Sequence, residues 1–339
     1  MTNPRRPARI CEVLTTSTVA LALLLTAVPA IAQVSAGEIL KDLGFPESAQ
    51  KSVLEGKVVD VDVPGSNERE LAVGMAFLVE VPPGKLTAEL RENLLFKADP
   101  NALAYGPITG GPADFDGVSL AGAGEDELGF YLDAEPGDDL NLSAEEIAAF
   151  GALKDRSAAG VEAQIRKNLL ARYEAYRAAG LSGIAPYARG DDESSNPGAD
   201  LRSASEAASA VKRFVPAFYE ILLGYPKADA PGLEERFTWA SYRAHGRPVF
   251  ILTHGFSLAW KGSVAACQRQ FYVSGSYNAE QAVAGFFPVK EGTIVVYANR
   301  TSTDQVTGFG GSAKRSIGSK VLASQLEKLF HDLQKTALE

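Results

Sequence analysis

The stretch PVFILTHGFSLAW-KGS-VAACQRQFYV, residues 248–273, contains two apolar runs separated by three residues, one of them a glycine. Apolar runs of this length, with aromatic and β-branched residues and a glycine turn between them, are typical of β-strands. A connection this short joins strands that run in opposite directions. The stretch therefore predicts an antiparallel hairpin.

Further strand-like runs extend this hairpin on both sides. They are RFTWASYRA at 236–244, AEQAVAGFF at 279–287 and TIVVYANRTS at 293–302. Each is separated from its neighbour by a short turn, so successive antiparallel strands are expected. Two more strands, KVVDVDV and ELAVGMAFLVEV, are expected near the N-terminus, followed by a helix at 85–96.

The chain is expected to close with a helix from about Ser312 to Leu333, because its apolar residues recur every three or four positions. The segment GFGGSAKRSIGSK before and within this helix resembles a nucleotide loop only in its glycines. No strand follows it, and its Lys is in the wrong position for a phosphate loop. We interpret Gly308, Gly310 and Gly311 as a sharp turn and Ser312 as the residue that caps the helix.

The middle of the chain differs from both ends in its composition and in its predicted secondary structure. It begins with a loop rich in Gly, Pro, Asp and Glu, and three helices follow. The first has a capping box formed by Ser143 and Glu146. The second is expected at 158–179, and the third at 202–223 with a kink at Pro216.

The first residues predict export. Arg5, Arg6 and Arg9 precede an apolar run at 19–28, and Ala30-Ile31-Ala32 offers a cleavage site. The run has about half of the roughly 20 residues that a membrane anchor needs. We therefore expect a periplasmic or extracellular protein after removal of the signal peptide.

These observations divide the chain into four segments. Residues 1–32 are expected to be the signal peptide, and 33–96 the N-terminal strands and helix of the main domain. Residues 97–225 form an acidic loop and helical insertion, and 226–339 contain the antiparallel strands and the C-terminal helix. The predicted fold class is α+β.

Charge and cysteine content narrow the function further. The chain has 42 acidic and 33 basic residues and a net charge of −9, which argues against nucleic acid and anionic membranes as partners. Cys267 is the only cysteine outside the predicted signal peptide, and we expect it to be buried rather than reactive. Three scattered histidines and no CxxC pair argue against a metal site, and no cofactor is expected.

An antiparallel meander that ends in a long amphipathic helix resembles the helix-grip architecture of START-like and Bet v 1-like proteins. The resemblance covers residues 71–93 and 237–333, with AVGMAFLVEVPPGKLTAELREN similar to the opening of those domains. It implies an antiparallel sheet wrapped around the C-terminal helix, with an apolar cavity between them and the helical region as an insertion.

The predicted hairpins place an imidazole and a guanidinium among aromatic side chains. If HGRP forms one turn and Lys261-Gly262 the next, Trp239 lies opposite His254, and His254 opposite Arg269. One sheet face then collects Phe237, Trp239, Phe250, Leu252, His254, Phe256, Cys267, Arg269 and Phe271. Such a face is typical of a small-molecule pocket, and equally of a sheet face packed against a helix.

The predicted function is binding of a hydrophobic or amphipathic, lipid-like small molecule in the cavity between sheet and helix. The aromatic side chains supply contact area, while His254 and Arg269 orient the polar end of the ligand. The candidate ligand-binding residues are Trp239, Phe250, His254, Phe256, Arg269 and Phe271.

Two alternatives remain open. One is an enzyme of the cell envelope that uses His254 as a general acid or base. The other is an interaction scaffold that uses the loops at 97–140 and 189–201. No catalytic residue besides His254 is suggested by the sequence.

Overall fold

The computed structural model describes most of the chain that follows the predicted signal peptide. The predicted signal peptide, the predicted helix at 85–96 and His245 lie outside the described residues. The described residues are 36–61, 63–82, 101–120, 125–137, 139–191, 193–244, 246–308 and 310–338.

The protein has an α+β fold built on an eight-stranded antiparallel sheet. The order of strands across the sheet is β1-β2-β10-β9-β8-β7-β6-β3. Strands β6 to β10 are consecutive in the sequence and neighbours in space, as their short turns predict. The strands of this sheet are β1 (Val59–Val61), β2 (Glu70–Val79), β3 (Ala102–Ile108), β6 (Glu234–Ala244), β7 (Arg247–Trp260), β8 (Ser263–Val273), β9 (Ala279–Val289) and β10 (Gly292–Ser302).

The helices of the described residues begin before β1, fill the middle of the chain and end it. A small second sheet pairs β4 (Tyr187–Ala188) with β5 (Ser194–Ser195). The helices are α1 (Ala36–Asp42), α2 (Glu47–Leu54), α3 (Glu125–Leu132), α4 (Ala144–Gly151), α5 (Ala158–Ala179), α6 (Pro197–Glu206), α7 (Ser209–Phe214), α8 (Pro216–Gly224) and α9 (Gly311–Leu338).

The helical region confirms two predictions and corrects one. The capping box of Ser143 and Glu146 starts α4, and α5 has the predicted bounds. The single kinked helix expected at 202–223 is wrong, since this segment contains the end of α6, all of α7 and most of α8. Pro216 is the first residue of α8, because a proline has no amide hydrogen to donate inside a helix but is well placed at its start.

The hairpin registers confirm one predicted pair and correct the other. His254 lies opposite Arg269, because the β7–β8 turn consists of Lys261 and Gly262, both with positive φ. Trp239 lies opposite Leu252, and His254 opposite Phe237. The β6–β7 strands pair as far as residues 244 and 247, so the turn is shorter than HGRP and the register shifts by two residues. A shift of two keeps every side chain on its predicted face.

Helices cover both faces of the sheet. On one face, the α9 face, Leu322, Leu326 and Phe330 of α9 pack against side chains of β2, β8, β9 and β10. The opposite face, the layer face, meets α1 and α2 at one end and the helices α4 to α8 at the other. The layer face bears all six predicted ligand-binding residues, so these residues and the C-terminal helix lie on opposite sides of the sheet.

The start of α9 matches its glycine-rich sequence. Gly308 and Gly310 have φ values of 72° and 74°, which confirms the predicted turn. The predicted N-cap is wrong, because α9 begins at Gly311 and Ser312 is already inside its first turn. From this turn α9 runs along β2, with Gly318 beside Leu71 and Phe330 stacked on Phe77 at a ring distance of 4.6 Å.

None of the helices in the described ranges combines the length and the apolar character needed to cross a bilayer. Although α9 has 28 residues, basic and acidic side chains recur along it. Its apolar residues form one stripe, as expected for a helix that packs on a sheet.

The close approach of α9 to β2 can be tested by adding a side chain at Gly318. A Cβ atom at this position would lie 2.9 Å from Cδ2 of Leu71. We expect Gly318→Val to lower the free energy of unfolding by about 1–3 kcal/mol, the usual cost of overpacking. Urea denaturation measures the change.

The matched control is Gly129→Val in α3, where an added Cβ would have no neighbour within 4 Å. Both variants change helix propensity by the same amount, so the difference between them reports packing. Equal stabilities of the two variants would contradict the described contact between α9 and β2.

Candidate functional site

The predicted ligand-binding residues are buried beneath the helical layer. Tyr176 of α5 lies at the centre of the group. Its ring stacks on Phe271 at 4.1 Å, and its hydroxyl group contacts both His254 and Arg269. The structure therefore brings His254, Arg269 and Phe271 together around one tyrosine.

His254 contacts protein groups on every side of its ring. Nδ1 lies 3.0 Å from the Tyr176 hydroxyl, and Nε2 lies 3.3 Å from a carboxylate oxygen of Glu235. The Nε2 contact is within ion-pair distance but does not have the geometry of a hydrogen bond. The ring also stacks on Phe237 at 4.3 Å and lies 4.5 Å from the ring of Tyr225.

These contacts define the protonation state of His254. Arg269 donates to the Tyr176 oxygen at 3.1 Å, so the tyrosine directs its own hydrogen to Nδ1 of His254. The remaining hydrogen of a neutral imidazole is then on Nε2 and faces Glu235. Burial lowers the pKa of His254 to about 4, and although Glu235 opposes this effect, the charge of Arg269 adds to it. His254 is thus a neutral side chain at neutral pH.

Arg269 is fully buried and forms hydrogen bonds only with neutral groups of the described residues. Its Nε and Nη2 atoms donate to the Gln281 side-chain oxygen at 2.9 and 2.8 Å. Nη2 also donates to the Leu222 carbonyl oxygen at 2.7 Å and to the Ser205 hydroxyl at 3.3 Å. The hydrogen-bond acceptors of this buried arginine are therefore supplied by the sheet and three helices.

The aromatic candidates fill the rest of this space. Phe256 packs against Phe218 of α8, and Phe250 is buried in the cluster that joins the sheet to α5. Trp239 lies farther along β6, where its indole nitrogen donates to the Asp114 carbonyl oxygen at 2.6 Å. All six candidates thus have packing or hydrogen-bond partners within the protein.

Cys267 is buried on the same face, as predicted. Burial raises the pKa of its thiol to about 12, and only the charge of Arg269 opposes this. The thiol is therefore protonated at neutral pH, and it packs as a small apolar side chain.

The α9 face contains a second group of buried polar side chains, which we call the Glu280 row. It lies across the three central strands β8, β9 and β10, between two apolar clusters. Each member is at most 6 % exposed. The row consists of Gln268, Gln270, Glu280, Asn299 and Thr301.

Hydrogen bonds connect Glu280 to both neighbouring strands. The Gln270 amide donates to one carboxyl oxygen at 3.3 Å, and the Thr301 hydroxyl lies 3.1 Å from the other. The same hydroxyl lies 2.9 Å from the Asn299 side-chain oxygen. Tyr277 donates in turn to the Gln270 oxygen.

Burial raises the pKa of Glu280 to about 8, against smaller opposing contributions from Asn299 and Thr301. Within the described ranges, no Lys, Arg or His lies at ion-pair distance from this carboxyl group. Glu280 is therefore mostly a neutral acid at pH 7.

The row also contains an unpaired acceptor. Gln268 is 6 % exposed, and its side-chain oxygen has no hydrogen-bond partner. Such an oxygen costs about 1–3 kcal/mol when it is buried. On the same face of β8 and β9, the positions next to the row have small apolar side chains: Ala266, Ala282 and Ala284.

Sequence reasoning missed this row. The strand VAACQRQFYV was interpreted through Cys267, Arg269 and Phe271, although Gln268 and Gln270 alternate with them on the other face. Glu280 is the second residue of the predicted strand AEQAVAGFF. A carboxyl group beside alternating alanines in a central strand is the signal that could have revealed it.

Neither a surface groove nor any cluster of metal-binding side chains provides a further candidate site among the described residues. A groove of about 440 Å³ lies between the β1–β2 connection and α9; there Arg315 donates to the Glu68 carbonyl oxygen, and Glu70 pairs with Arg300. No group of three His, Cys, Asp or Glu side chains suited to a metal ion occurs among the described residues.

Replacing His254 by Gln should make the protein less sensitive to acid. Between pH 6.5 and 4 a histidine of the unfolded chain takes up a proton, whereas the buried His254 stays neutral. Burial and the charges of Arg269 and Arg177 lower its pKa, and Glu235 opposes them only in part. The free energy of unfolding therefore falls as pH falls through this window. A shift from 6.5 to about 4 corresponds to about 3 kcal/mol. Urea denaturation at pH 7 and pH 4.5 should show this loss reduced by about 2–3 kcal/mol in the variant.

His331→Gln on α9 is the matched control, since it removes a histidine that is not buried. It should leave the difference between the two pH values unchanged. If His254→Gln shows the same acid sensitivity as the unmodified protein, the assignment of a neutral, buried His254 is wrong.

Glu280→Gln should change stability in the opposite pH range. Because the native carboxyl group keeps its proton up to about pH 8 and an unfolded one loses it near 4.5, stability falls as pH rises between these values. The full shift corresponds to about 4–5 kcal/mol. In the unmodified protein the free energy of unfolding declines between pH 5 and pH 8. In the variant we expect this decline to be smaller by about 3 kcal/mol or more.

Glu220→Gln makes the same replacement of Glu by Gln at an exposed position of α8 and should preserve the decline. Urea denaturation at several pH values measures both variants. Parallel stability profiles for Glu280→Gln and the unmodified protein would show that Glu280 is ionised in the folded state.

Comparisons with protein-family models, with curated proteins and with solved structures gave no match to this chain. The resemblance to helix-grip proteins therefore rests on the pattern of strands and helix alone. A function has to be inferred from the geometry of the two buried polar groups.

Proposed function

We propose that the protein is exported and binds an amphipathic small molecule between the α9 face of its sheet and helix α9. One observation carries the proposal. Glu280 and its polar neighbours are buried beside the apolar cluster that packs against α9, and Glu280 has no ion-pair partner among the described residues.

The cost of this arrangement supports a functional role. A buried carboxyl group and an unpaired amide oxygen both reduce stability, whereas alanine or valine at these positions would not. The neighbouring positions of β8 and β9 are in fact occupied by Ala266 and Ala282. Costly polar groups that persist in a protein interior are typical of binding sites, where activity and stability are traded against each other.

The surroundings of the row suit the apolar part of a ligand. Small side chains of β8 and β9 lie on the same face as Leu322 and Leu326 of α9. Ligand sites are mostly apolar, with a few polar groups that orient the ligand. The resemblance to helix-grip proteins, in which a ligand lies between sheet and C-terminal helix, supports the same location.

The layer face supports the site indirectly. The ligand-binding residues predicted from the sequence lie on this face: Trp239, Phe250, His254, Phe256, Arg269 and Phe271. Their observed contacts are with the protein itself. These contacts hold the sheet against the helical layer. We therefore place the ligand site on the α9 face. The six residues of the layer face support it by holding the sheet against the helical layer.

Native mass spectrometry of protein purified from its own cell envelope tests the proposal. We expect a bound small molecule that is also recovered by lipid extraction. A variant that combines Gln268→Leu with Glu280→Leu should lose at least 90 % of this occupancy, because it removes the groups that bind the polar end of the ligand.

Phe256→Leu is the matched control, because it changes a buried residue on the layer face instead. It should retain the ligand, and near-ultraviolet circular dichroism confirms that both variants remain folded. Unmodified protein that carries no small molecule in either measurement would refute the proposed function.

A further inference from the structure

We propose that the polar end of the ligand is a protonated amine, which forms an ion pair with Glu280. This inference rests on the proposed function and specifies the class of molecule that the site accepts. It follows from two features of the Glu280 row: the Gln268 oxygen has no donor, and Glu280 has no cation at ion-pair distance among the described residues.

The Glu280 row contains an acceptor without a donor among the described residues, the side-chain oxygen of Gln268. Two donors beside Glu280 are already engaged, since the Gln270 amide donates to Glu280 and the Tyr277 hydroxyl to Gln270. A ligand that completes this set must therefore donate hydrogen bonds, and an ammonium group has three donors and no acceptor.

The hydrogen bonds of Glu280 suit an ionised carboxylate as well as a neutral acid. Thr301 lies between the carboxyl group and the oxygen of Asn299, and its hydroxyl has one hydrogen. When Glu280 is protonated, Thr301 accepts from it and donates to Asn299; when Glu280 is ionised, Thr301 donates to the carboxylate instead. Rotation of one hydroxyl group thus adapts the row to an ion pair.

An acidic ligand is the wrong chemistry for this row. A carboxylate or phosphate would bring a negative charge into this buried row, where no cationic side chain of the described residues lies at ion-pair distance from Glu280. A neutral alcohol could donate one hydrogen bond but would bring no positive charge to pair with Glu280. The amine is the only one of these three head groups that supplies both missing properties.

Binding should release a proton. The Glu280 carboxyl group loses its proton to the buffer, the ammonium group keeps its own charge, and the resulting pair is neutral as a whole. The groups that face Glu280 among the described residues are the neutral side chains of Gln270, Asn299 and Thr301 and the hydroxyl group of Tyr297, whose pKa is raised by burial. None of them can take up the released proton at neutral pH.

Isothermal titration calorimetry tests the inference with three probes of equal chain length: dodecylamine, dodecanol and dodecanoate, each below its micelle concentration. Titrations at pH 7 in buffers of different ionisation enthalpy give the number of protons released. We expect dodecylamine to bind at least tenfold more tightly than the other two, with release of close to one proton per ligand. Glu280→Gln should abolish the release and weaken amine binding at least tenfold.

Because the chain has a net charge of −9, a cationic amphiphile is also attracted to its surface. The variant Glu220→Gln removes a negative charge at an exposed site and should bind dodecylamine as the unmodified protein does. Amine binding that is equal in the Glu280 and Glu220 variants would reduce the effect to surface attraction and overturn the inference.

The remaining outcomes separate the inference from the function on which it rests. If dodecanol or dodecanoate binds as tightly as dodecylamine, or if no proton is released, the amine assignment is wrong and amphipathic binding stands. If none of the three binds to the unmodified protein, both the inference and the proposed function fail.

Discussion

The packing of the helices on the layer face depends on the hydrogen bonds of the Arg269 guanidinium group. It joins the sheet, through Gln281, to Tyr176 of α5, Ser205 of α6 and Leu222 of α8. An unpaired ion in a protein interior costs several kcal/mol, so these bonds must form together for the charge to be accommodated. The helices are thereby held in one position over the sheet, and the tyrosine that contacts His254 is oriented as a consequence.

The two faces of the sheet solve the problem of buried polar groups differently. On the layer face, every nitrogen of the Arg269 side chain has an acceptor, and burial and the arginine charge keep His254 neutral. On the α9 face, Glu280 has neutral donors but no cation among the described residues, and Gln268 keeps an unpaired oxygen. A complete network adds order to a core, whereas an incomplete one leaves capacity for another molecule.

The titrating groups on the two faces act on stability in opposite pH ranges. His254 reduces stability as pH falls below about 6.5, and Glu280 reduces it as pH rises above about 4.5. Binding of a cation would remove the second effect, because an ionised Glu280 then has a partner. A bound cation would therefore couple stability at neutral pH to occupancy of the α9 face.

The sequence alone determined the strands β6 to β10, the helix α5, the capping box of α4 and the separation of side chains into two faces. These features depend on neighbours close in the chain: alternation along a strand, turn residues such as Lys261-Gly262, and cap residues. It also placed His254 opposite Arg269. Only the tertiary structure decided which helices cover each face, because that depends on contacts between segments far apart in the chain, such as Arg269 with α8 and Phe330 with Phe77. For this reason the aromatic face predicted as a pocket is packed against the helical layer, and the candidate site lies on the other side of the same strands.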